Sequence, residues 1–448
     1  VRATAGEYRI TSYQAFVFAI AGGAWLFDNI DQRMFSLARI PALSSLMGMP
    51  GGDPLVQAQG KIVTAVFLIG WGLGGVILGP LGDRFGRSRL LTVSVLLYAV
   101  GTGLTGLSIT VGQFTGWRFL TGLGIGGVFG LAVAIIAETF TSGLRVAMLA
   151  GLQMLSPIGN ISAALVKIGA DGLATQGVIA ADQVWRWLFA LGALPALMAV
   201  ASGLYLRESD AWLELRAQAK LPRGWFGAYG ELFSNRDERR GLIIGTLLAS
   251  AGVVGLWAIG EYAVDLQEAV FTTYFRGVDP PAAVAAHVSA AKNQAYLLQM
   301  IGGAAGMIAF SWAATRLGRR PAFIGGFVAA LVLTLLTYGW LKTPADADWM
   351  LPLMGAAQLS VFAGFSIYLP ELFGPRARGT GVSFCYNVGR FAAAIGSLVS
   401  AALTTVVFKA FPSPLPLRYA AMTMCAVFVV GIGAAIMAPE TKGAAPRG

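Results

Sequence analysis

Residues 83–87 read Asp83-Arg84-Phe85-Gly86-Arg87, and residues 315–319 read Thr315-Arg316-Leu317-Gly318-Arg319, an offset of 232. Each stretch lies between two long apolar runs. The spacing returns elsewhere. Glu138-Thr139-Phe140 followed by Arg145 recurs as Glu371-Leu372-Phe373 followed by Arg378, an offset of 233. Arg207-Glu208 recurs as Pro439-Glu440 at 232, Gly70 and Gly74 recur as Gly302 and Gly306, and Asp28 recurs as Glu261 at 233. One isolated match is chance, whereas several ordered matches within one residue of the same offset are a duplication. The chain is therefore one unit used twice in the same orientation. Parallel repeats of this kind place a substrate path at their interface and work by rocking.

Composition says what the unit is made of. Of 448 residues, 56% are hydrophobic and only 12% are charged. A soluble chain carries about a quarter charged residues. The 54 charges here (32 basic plus 22 acidic) are too few to solvate a globule of this length. Disorder is excluded for the same reason. The 59 glycines follow no G-X-Y period, which excludes collagen. They fit helices that pack closely inside a bilayer. Apolar segments long enough to span one, about 20 residues each, fall at 10–40, 60–81, 88–109, 112–139, 144–170, 186–206, 241–275, 291–314, 320–341, 349–372, 378–408 and 417–438. The expected fold is an all-α polytopic membrane protein of twelve transmembrane helices. Its divisions are an N-terminal six-helix bundle (1–206), a cytoplasmic linker (207–240) and a C-terminal six-helix bundle (241–448).

Orientation follows from the basic residues, which concentrate on cytoplasmic loops. With the N-terminus inside, 20 Lys/Arg fall on the cytoplasmic side, eight on the other, and four (Arg33, Arg39, Arg118 and Arg390) inside or at the edge of spans. Both termini are expected in the cytoplasm. The net charge of +10 then reflects topology, and no nucleic-acid partner is implied. Cys385 and Cys425 lie in apolar runs and read as small core residues. The single His287 sits in a connecting stretch, so neither a metal site nor a Ser-His-Asp triad is expected. The start at Val1, without Met or a cleavable signal pattern, reads as a trimmed end.

These residues resemble the major facilitator superfamily. Gly79-Pro-Leu-Gly-Asp83-Arg-Phe-Gly86-Arg87-Ser-Arg89-Leu is similar to its signature loop between helices two and three. Arg118-Phe-Leu-Thr-Gly122-Leu-Gly124-Ile-Gly126-Gly resembles its helix-four motif. Pro439-Glu440-Thr-Lys-Gly443 and Arg207-Glu208-Ser-Asp-Ala-Trp212-Leu look like the paired sugar-porter motifs. Phe27-Asp28-Asn29-Ile-Asp31, Tyr368-Leu-Pro-Glu371-Leu-Phe and Phe384-Cys-Tyr-Asn-Val-Gly-Arg390 look like the aromatic-acid and sialate:proton symporters. Two positions depart from the patterns: Asn29 stands where a Gly is usual, and Arg207 where a Pro is usual.

Two sets of polar residues follow. Arg87, Glu138, Arg145 and Glu208 have repeat mates Arg319, Glu371, Arg378 and Glu440, all at the expected cytoplasmic ends of helices. Acids and arginines there are suited to bidentate pairs between helix ends. By the resemblance they form an inner gate; otherwise they are topology anchors. Asp83 is expected to cap or lock a neighbouring helix end. Its replacement by Thr315 implies that the two halves are locked unequally.

The second set lies in the bilayer, where a charge costs at least about 2.5 kcal/mol and normally faces a cavity or a partner. It comprises Asp28, Asp31, Arg33, Arg118, Glu261, Asp265 and Arg390. Asp28 and Asp31, at i and i+3, share one helix face with Gln32. Burial in low dielectric favours the neutral form of a carboxylate, as proton coupling requires. We expect proton coupling at Asp28, Asp31, Arg118 and Glu261. The competing reading is that Asp28 or Asp31 neutralises Arg33 or Arg390. Arg390, about 11 residues into its span, lies near mid-depth and offers a guanidinium fork to an anionic substrate. Trp25, Gln153, Gln299, Tyr386 and Asn387 are candidates to line the substrate path, with packing as the alternative for each.

The sequence thus points to a secondary active transporter, a proton-coupled symporter of a small organic acid or sugar-acid-like metabolite. A neutral-sugar transporter is the alternative, and a membrane sensor or scaffold a third. Nothing suggests an enzyme or a cofactor. The expected surroundings are a small-molecule substrate, protons and the lipid bilayer of a bacterial inner membrane, with the chain acting as a monomer.

Overall fold

The computed structural model describes residues 10–49, 54–140, 142–221, 224, 226–260 and 263–443. Among them all regular structure is helical. Two compact units emerge, one formed by residues 1–239 with 372–387 and 447–448, the other by residues 240–371 with 388–446. Unit 1 holds helices α1 (Ser12–Met47), α2 (Pro54–Phe85), α3 (Arg87–Gly106), α4 (Val111–Thr139), α5 (Ser142–Thr175), α6 (Val184–Leu191), α7 (Pro195–Tyr205), α8 (Asp210–Ala217) and α9 (Gly227–Ser234). Next come α10 (Arg236–Val254), α11 (Ala263–Arg276), α12 (Pro281–Arg316), α13 (Arg319–Trp340), α14 (Pro344–Leu372), α15 (Arg378–Ala402), α16 (Leu415–Met424) and α17 (Ala426–Met437).

Eleven helical stretches among the described residues are long and apolar enough to cross a membrane. Helix α1 stands apart because its 36 residues carry Asp28, Asp31, Arg33 and Arg39. Its start is well signalled. Thr11 accepts from the Gln14 amide at 3.1 Å while the Gln14 side chain accepts from the Thr11 amide at 3.0 Å, a reciprocal cap. The sixth span is broken between α6 and α7, where Pro195 restarts the helix. The twelfth is broken at Cys425, which lies 232 residues after Ala193 (425 − 193). The duplication therefore extends to the break points. The seventh span loosens into a π-helical turn over Gly255–Gly260, and the Tyr338 hydroxyl donates to the Ile259 carbonyl at 2.5 Å.

The glycines of the repeat set how closely helices approach. In unit 1, β-carbons at Gly70 and Gly74 of α2 would fall closer than 3.0 Å to the Phe119 and Leu123 carbonyl oxygens of α4. Gly122 and Gly126 of α4 meet the backbone of α2 in the same way. In unit 2, Gly302 and Gly306 of α12 lie against the Pro352 and Ala356 carbonyls of α14. Without hydrophobic drive between helices in lipid, such close backbone packing supplies the attraction. It buries α4 from Gly124 to Ala137 without a break. The linker helix α9 also belongs to unit 1: the Tyr229 hydroxyl donates to the Val76 carbonyl of α2 at 2.7 Å, and its ring meets Phe384 edge-on. Cys385 and Cys425 are buried free thiols.

Replacing Gly126 with Leu forces α2 and α4 apart. We expect Gly126→Leu to lose the monodisperse peak in detergent size-exclusion chromatography. Gly116→Ala, where nothing lies within 4 Å, is expected to elute as the parent does.

Candidate functional site

Asp31 on α1 and Arg118 on α4 form a buried ion pair within unit 1, with relative exposures of 1% and 0%. Arg118 Nη2 donates to Asp31 Oδ2 at 2.6 Å and Nη1 to Oδ1 at 3.2 Å. The Thr102 hydroxyl of α3 donates to Asp31 Oδ1 at 2.7 Å. Three rings surround the guanidinium, with centroids at 4.6 Å (Phe35), 4.8 Å (Phe67) and 5.5 Å (Phe189). The fork geometry and the π faces spread the positive charge. The sequence offered Arg33 or Arg390 as a neutralising partner for these acids. Asp31 instead faces α4, because the helix-four arginine projects into the same bundle interior.

Asp28 is also buried, and Gln32 Nε2 donates to its Oδ1 at 2.8 Å. Asn29, in place of the expected glycine, donates to the Trp25 carbonyl at 2.7 Å and accepts from the Ser156 hydroxyl of α5 at 2.6 Å. One turn earlier on α1, Trp25 begins an aromatic cluster. Its ring lies 5.0 Å from Phe129 and 6.4 Å from Tyr386, and Phe129 and Tyr386 stack at 4.0 Å. Trp25 Nε1 is buried without a hydrogen-bond partner among the described residues. Asn387 is fully buried, its amide nitrogen donating to the Ser383 carbonyl at 2.8 Å and the Gly126 carbonyl at 3.3 Å. Gln153 is buried in unit 1 and Gln299 in unit 2, while Arg390 is half-buried. Glu261 lies outside the described residues.

A second site in unit 1 gathers the charged ends of helices. Arg87 donates to Glu138 at 2.9 Å, to Asp83 at 3.1 Å and to the Pro375 carbonyl. Glu138 also accepts from Arg378 at 3.0 Å and from the Ser209 hydroxyl at 2.5 Å. Asp83 accepts from the amides of Gly379 and Thr380 at 3.1 and 2.7 Å and from the Thr380 hydroxyl at 2.7 Å. Those are orphan donors of the first turn of α15, so Asp83 caps that helix. Its mate Thr315 turns inward on its own helix, to the Ser311 carbonyl. Arg145 Nε donates to the Phe140 carbonyl at 3.3 Å.

Unit 2 repeats the pattern. Arg319 holds Glu371 with two contacts, at 3.1 and 2.8 Å, and the Thr441 hydroxyl donates to Glu371 at 2.5 Å as Ser209 does to Glu138. Glu208 and Glu440 differ from the expected arginine pairs. Glu208 accepts from the amides of Ser88 and Arg89, both at 3.1 Å, and Glu440 from those of Arg319 and Arg320 at 3.0 and 3.1 Å. Each caps the N-terminus of the third helix of its repeat. The preceding residues, Gly86 (φ 114°) and Gly318 (φ 112°), stand where side chains are strained and where a β-carbon would strike the carboxylate. Burial works to raise the Glu440 carboxyl, but backbone donors from Arg319, Lys442, Arg320 and Thr441 outweigh it and hold it below the usual range.

Two arginines that sequence reasoning passed over complete this scheme. Arg186 donates to the Gly106 and Ser108 carbonyls at 2.8 and 2.9 Å, where α3 ends. Arg418 donates to the Tyr338 carbonyl at 2.6 Å and to the Leu341 carbonyl, where α13 ends. They are 232 residues apart (418 − 186), so the repeat offset was the signal that marked them.

A family model described as "Sugar (and other) transporter" matches residues 18–224 and 285–445. The cis,cis-muconate transport protein of Acinetobacter baylyi is 26% identical over 431 residues, which cover 96% of this chain and 94% of that protein. The probable 4-methylmuconolactone transporter of Cupriavidus pinatubonensis is 27% identical, covering 94% and 89%. The solved structure of the proton:xylose symporter XylE bound to 6-bromo-6-deoxy-D-glucose has a TM-score of 0.73 at 18% identity, covering 97% of this chain and 98% of that one. At that identity the likeness is one of fold.

Two outcomes follow from the geometry. Asp31→Asn or Arg118→Gln leaves one buried charge alone and is expected to cost about 3–5 kcal/mol, read as a lowered Tm. The double variant is expected to recover part of the loss, and strict additivity would contradict the pairing. For Glu440 the folded value is depressed. Its contribution is present above the ordinary value of 4.5 and is lost as pH falls through the folded value. The Tm difference between Glu440→Gln and the parent is therefore expected to persist from neutral pH down to about 4.5 and to shrink below it.

Proposed function

The chain belongs to the sugar (and other) transporter family, with the major facilitator fold, and on that premise we propose that it carries a small organic acid by proton symport. The observation that supports coupling most directly is the buried Asp31–Arg118 pair. Protonation of Asp31 removes the charge that holds both guanidinium contacts. Arg118 is then left ionised among three rings, a state that favours the arrival of another anion or a rearrangement of the helices. A substrate carboxylate supplies such an anion, so that proton and substrate are taken together. Asp28, one turn away on the same helix, and Glu261 are the further coupling candidates.

The organic-acid reading draws on the relatives named for muconate and methylmuconolactone transport. On this reading the substrate rests against Trp25 and Tyr386 of unit 1, with Trp25 Nε1, which has no partner among the described residues, as donor; Gln153, Asn387, Gln299 and Arg390 are the further substrate-binding candidates. The charged helix ends are the gate. Asp83, Arg87, Glu138, Arg145, Glu208 and Arg378, with Arg319, Glu371 and Glu440 of the other repeat, hold their helix ends in one state and release them in the other. Two bundles then rock to expose the path alternately. The excess of basic residues at these ends supports a cytoplasmic side for them and for both termini, and on this reading the chain works as a monomer in a bacterial inner membrane. The neutral-sugar reading draws on the Pro439-Glu440-Thr441-Lys442-Gly443 tail and on the family's name.

In proteoliposomes with an imposed inward proton gradient, the parent protein is expected to accumulate cis,cis-muconate. Asp31→Asn is expected to abolish gradient-driven accumulation while retaining counterflow exchange. Arg390→Gln is expected to lose muconate uptake severely. Gradient-driven uptake of xylose instead of any organic anion, unaffected by Arg390→Gln, would establish the neutral-sugar reading in its place.

A further inference from the structure

Helix α1 carries a second guanidinium beyond the coupling pair. Asp28, Asp31 with Gln32, Phe35 and Arg39 follow one another at three- and four-residue steps, so they line one helix face. Phe35 stands between two cations, with Arg118 4.6 Å and Arg39 6.0 Å from its centroid. The two arginines differ in what they meet. Arg118 is neutralised by Asp31 through both Nη atoms, although its Nε, like that of Arg39, is buried without a partner among the described residues. Arg39 meets no acidic side chain among the described residues; its Nη1 donates to the Thr64 hydroxyl of α2, and its Nε is buried without a partner. Asp53 lies outside the described residues.

We infer that Arg39, set in place by Thr64, is a carboxylate-recognising site of the transport path, and that it selects anions apart from the coupling pair. The inference rests on the organic-acid reading above. A guanidinium has five donors in a rigid fork, matched to the two oxygens of a carboxylate. Here one donor is spent on a neutral hydroxyl. That hydroxyl is itself oriented, because Thr64 donates its proton to the Gly60 carbonyl at 2.9 Å and so presents its lone pairs to Arg39. Gly60 also keeps the Nε edge close to the helix. A β-carbon there would lie 3.4 Å from Arg39 Nε and 2.8 Å from Ile40 Cδ1. The guanidinium is thus held in one plane, half withdrawn from water, with no acid answering its charge among the described residues. Such a group binds an anion at a smaller desolvation cost than a fully solvated lysine or arginine would.

Eight residues separate Arg39 from Asp31, a rise of about 12 Å along the helix. A carboxylate on Arg39 therefore does not displace Asp31 from Arg118. This separates two roles: Arg39 sets affinity for the anion, and Asp31 sets coupling to the proton. It also sets the signature to look for, a raised KM with maximal rate and proton coupling retained.

The test uses the purified full chain and cis,cis-muconate as probe, with binding read by isothermal titration in detergent and transport in neutral phosphatidylcholine vesicles. Arg39→Gln is expected to raise Kd and KM about tenfold or more, as loss of a charge-assisted hydrogen bond does. Arg39→Lys is expected to fall between Arg39→Gln and the parent, because a point charge lacks the fork. Thr64→Val, which leaves the arginine but frees its plane, is expected to raise Kd by a smaller factor and keeps the inference testable if Arg39→Gln does not fold. Parent-like binding in Arg39→Gln, or in both Arg39→Lys and Thr64→Val, overturns the Arg39 assignment and leaves the organic-acid reading standing. A defect confined to anionic-lipid vesicles overturns it in favour of a headgroup anchor. Absence of saturable muconate binding by the parent overturns the organic-acid reading and this inference with it.

Discussion

A guanidinium or a carboxylate does not enter the hydrocarbon layer alone, and the arrangement of this chain follows from that constraint. Asp31 and Arg118 show it in its strongest form. Two charges from different helices neutralise each other through two contacts, with Thr102 filling a remaining lone pair and three aromatic rings closing around the cation. A pair of this kind holds α1 against α4 only while both charges exist. On the proposed reading, adding one proton to Asp31 converts this tie into an unsatisfied cation, and that conversion would let a proton do conformational work.

At the helix ends the same constraint is met differently. Glu208 and Glu440 sit on the N-termini of the third helix of each repeat, while Arg186 and Arg418 sit on the C-termini of the same helices. Acid on the positive end and base on the negative end complement the helix macrodipole. In both repeats the tying residues flank the sixth span, so the third and sixth spans are fastened at both ends. The repeats differ at Asp83, which caps the start of α15, whereas Thr315 is turned back onto its own helix. The caps common to both repeats stiffen each half, and the Asp83 contact is the asymmetric one.

Much of this was legible in the sequence because it is written in residue type and spacing. The 232-residue offset, the apolar spans and the glycines of α2 and α12 follow from a count along the chain. Asp83 was legible as a cap, since an acid beside a helix end has few other uses. Partner choice was not legible. Asp31 had several arginines within reach of a linear reading, and only the packing of α4 against α2, down to backbone contact, selects Arg118. Glu208 was legible as an acid at a helix end, but not as a ligand of backbone amides, because that depends on the positive φ of Gly86. Arg186 and Arg418 were hidden by position, as each sits where a basic residue reads as an ordinary loop charge. Arg39 reads as one of the span-edge charges, and that no acid among the described residues meets it appears only in three dimensions.

On the proposed reading, a proton on Asp31 and an organic anion occupy the protein together. The most direct test is proton uptake on binding. Purified protein in weakly buffered detergent is mixed with cis,cis-muconate while a pH indicator is followed. Uptake of about one proton per ligand bound is expected in the parent and none in Asp31→Asn. Ligand binding without proton uptake by the parent, or equal uptake by Asp31→Asn, would contradict it.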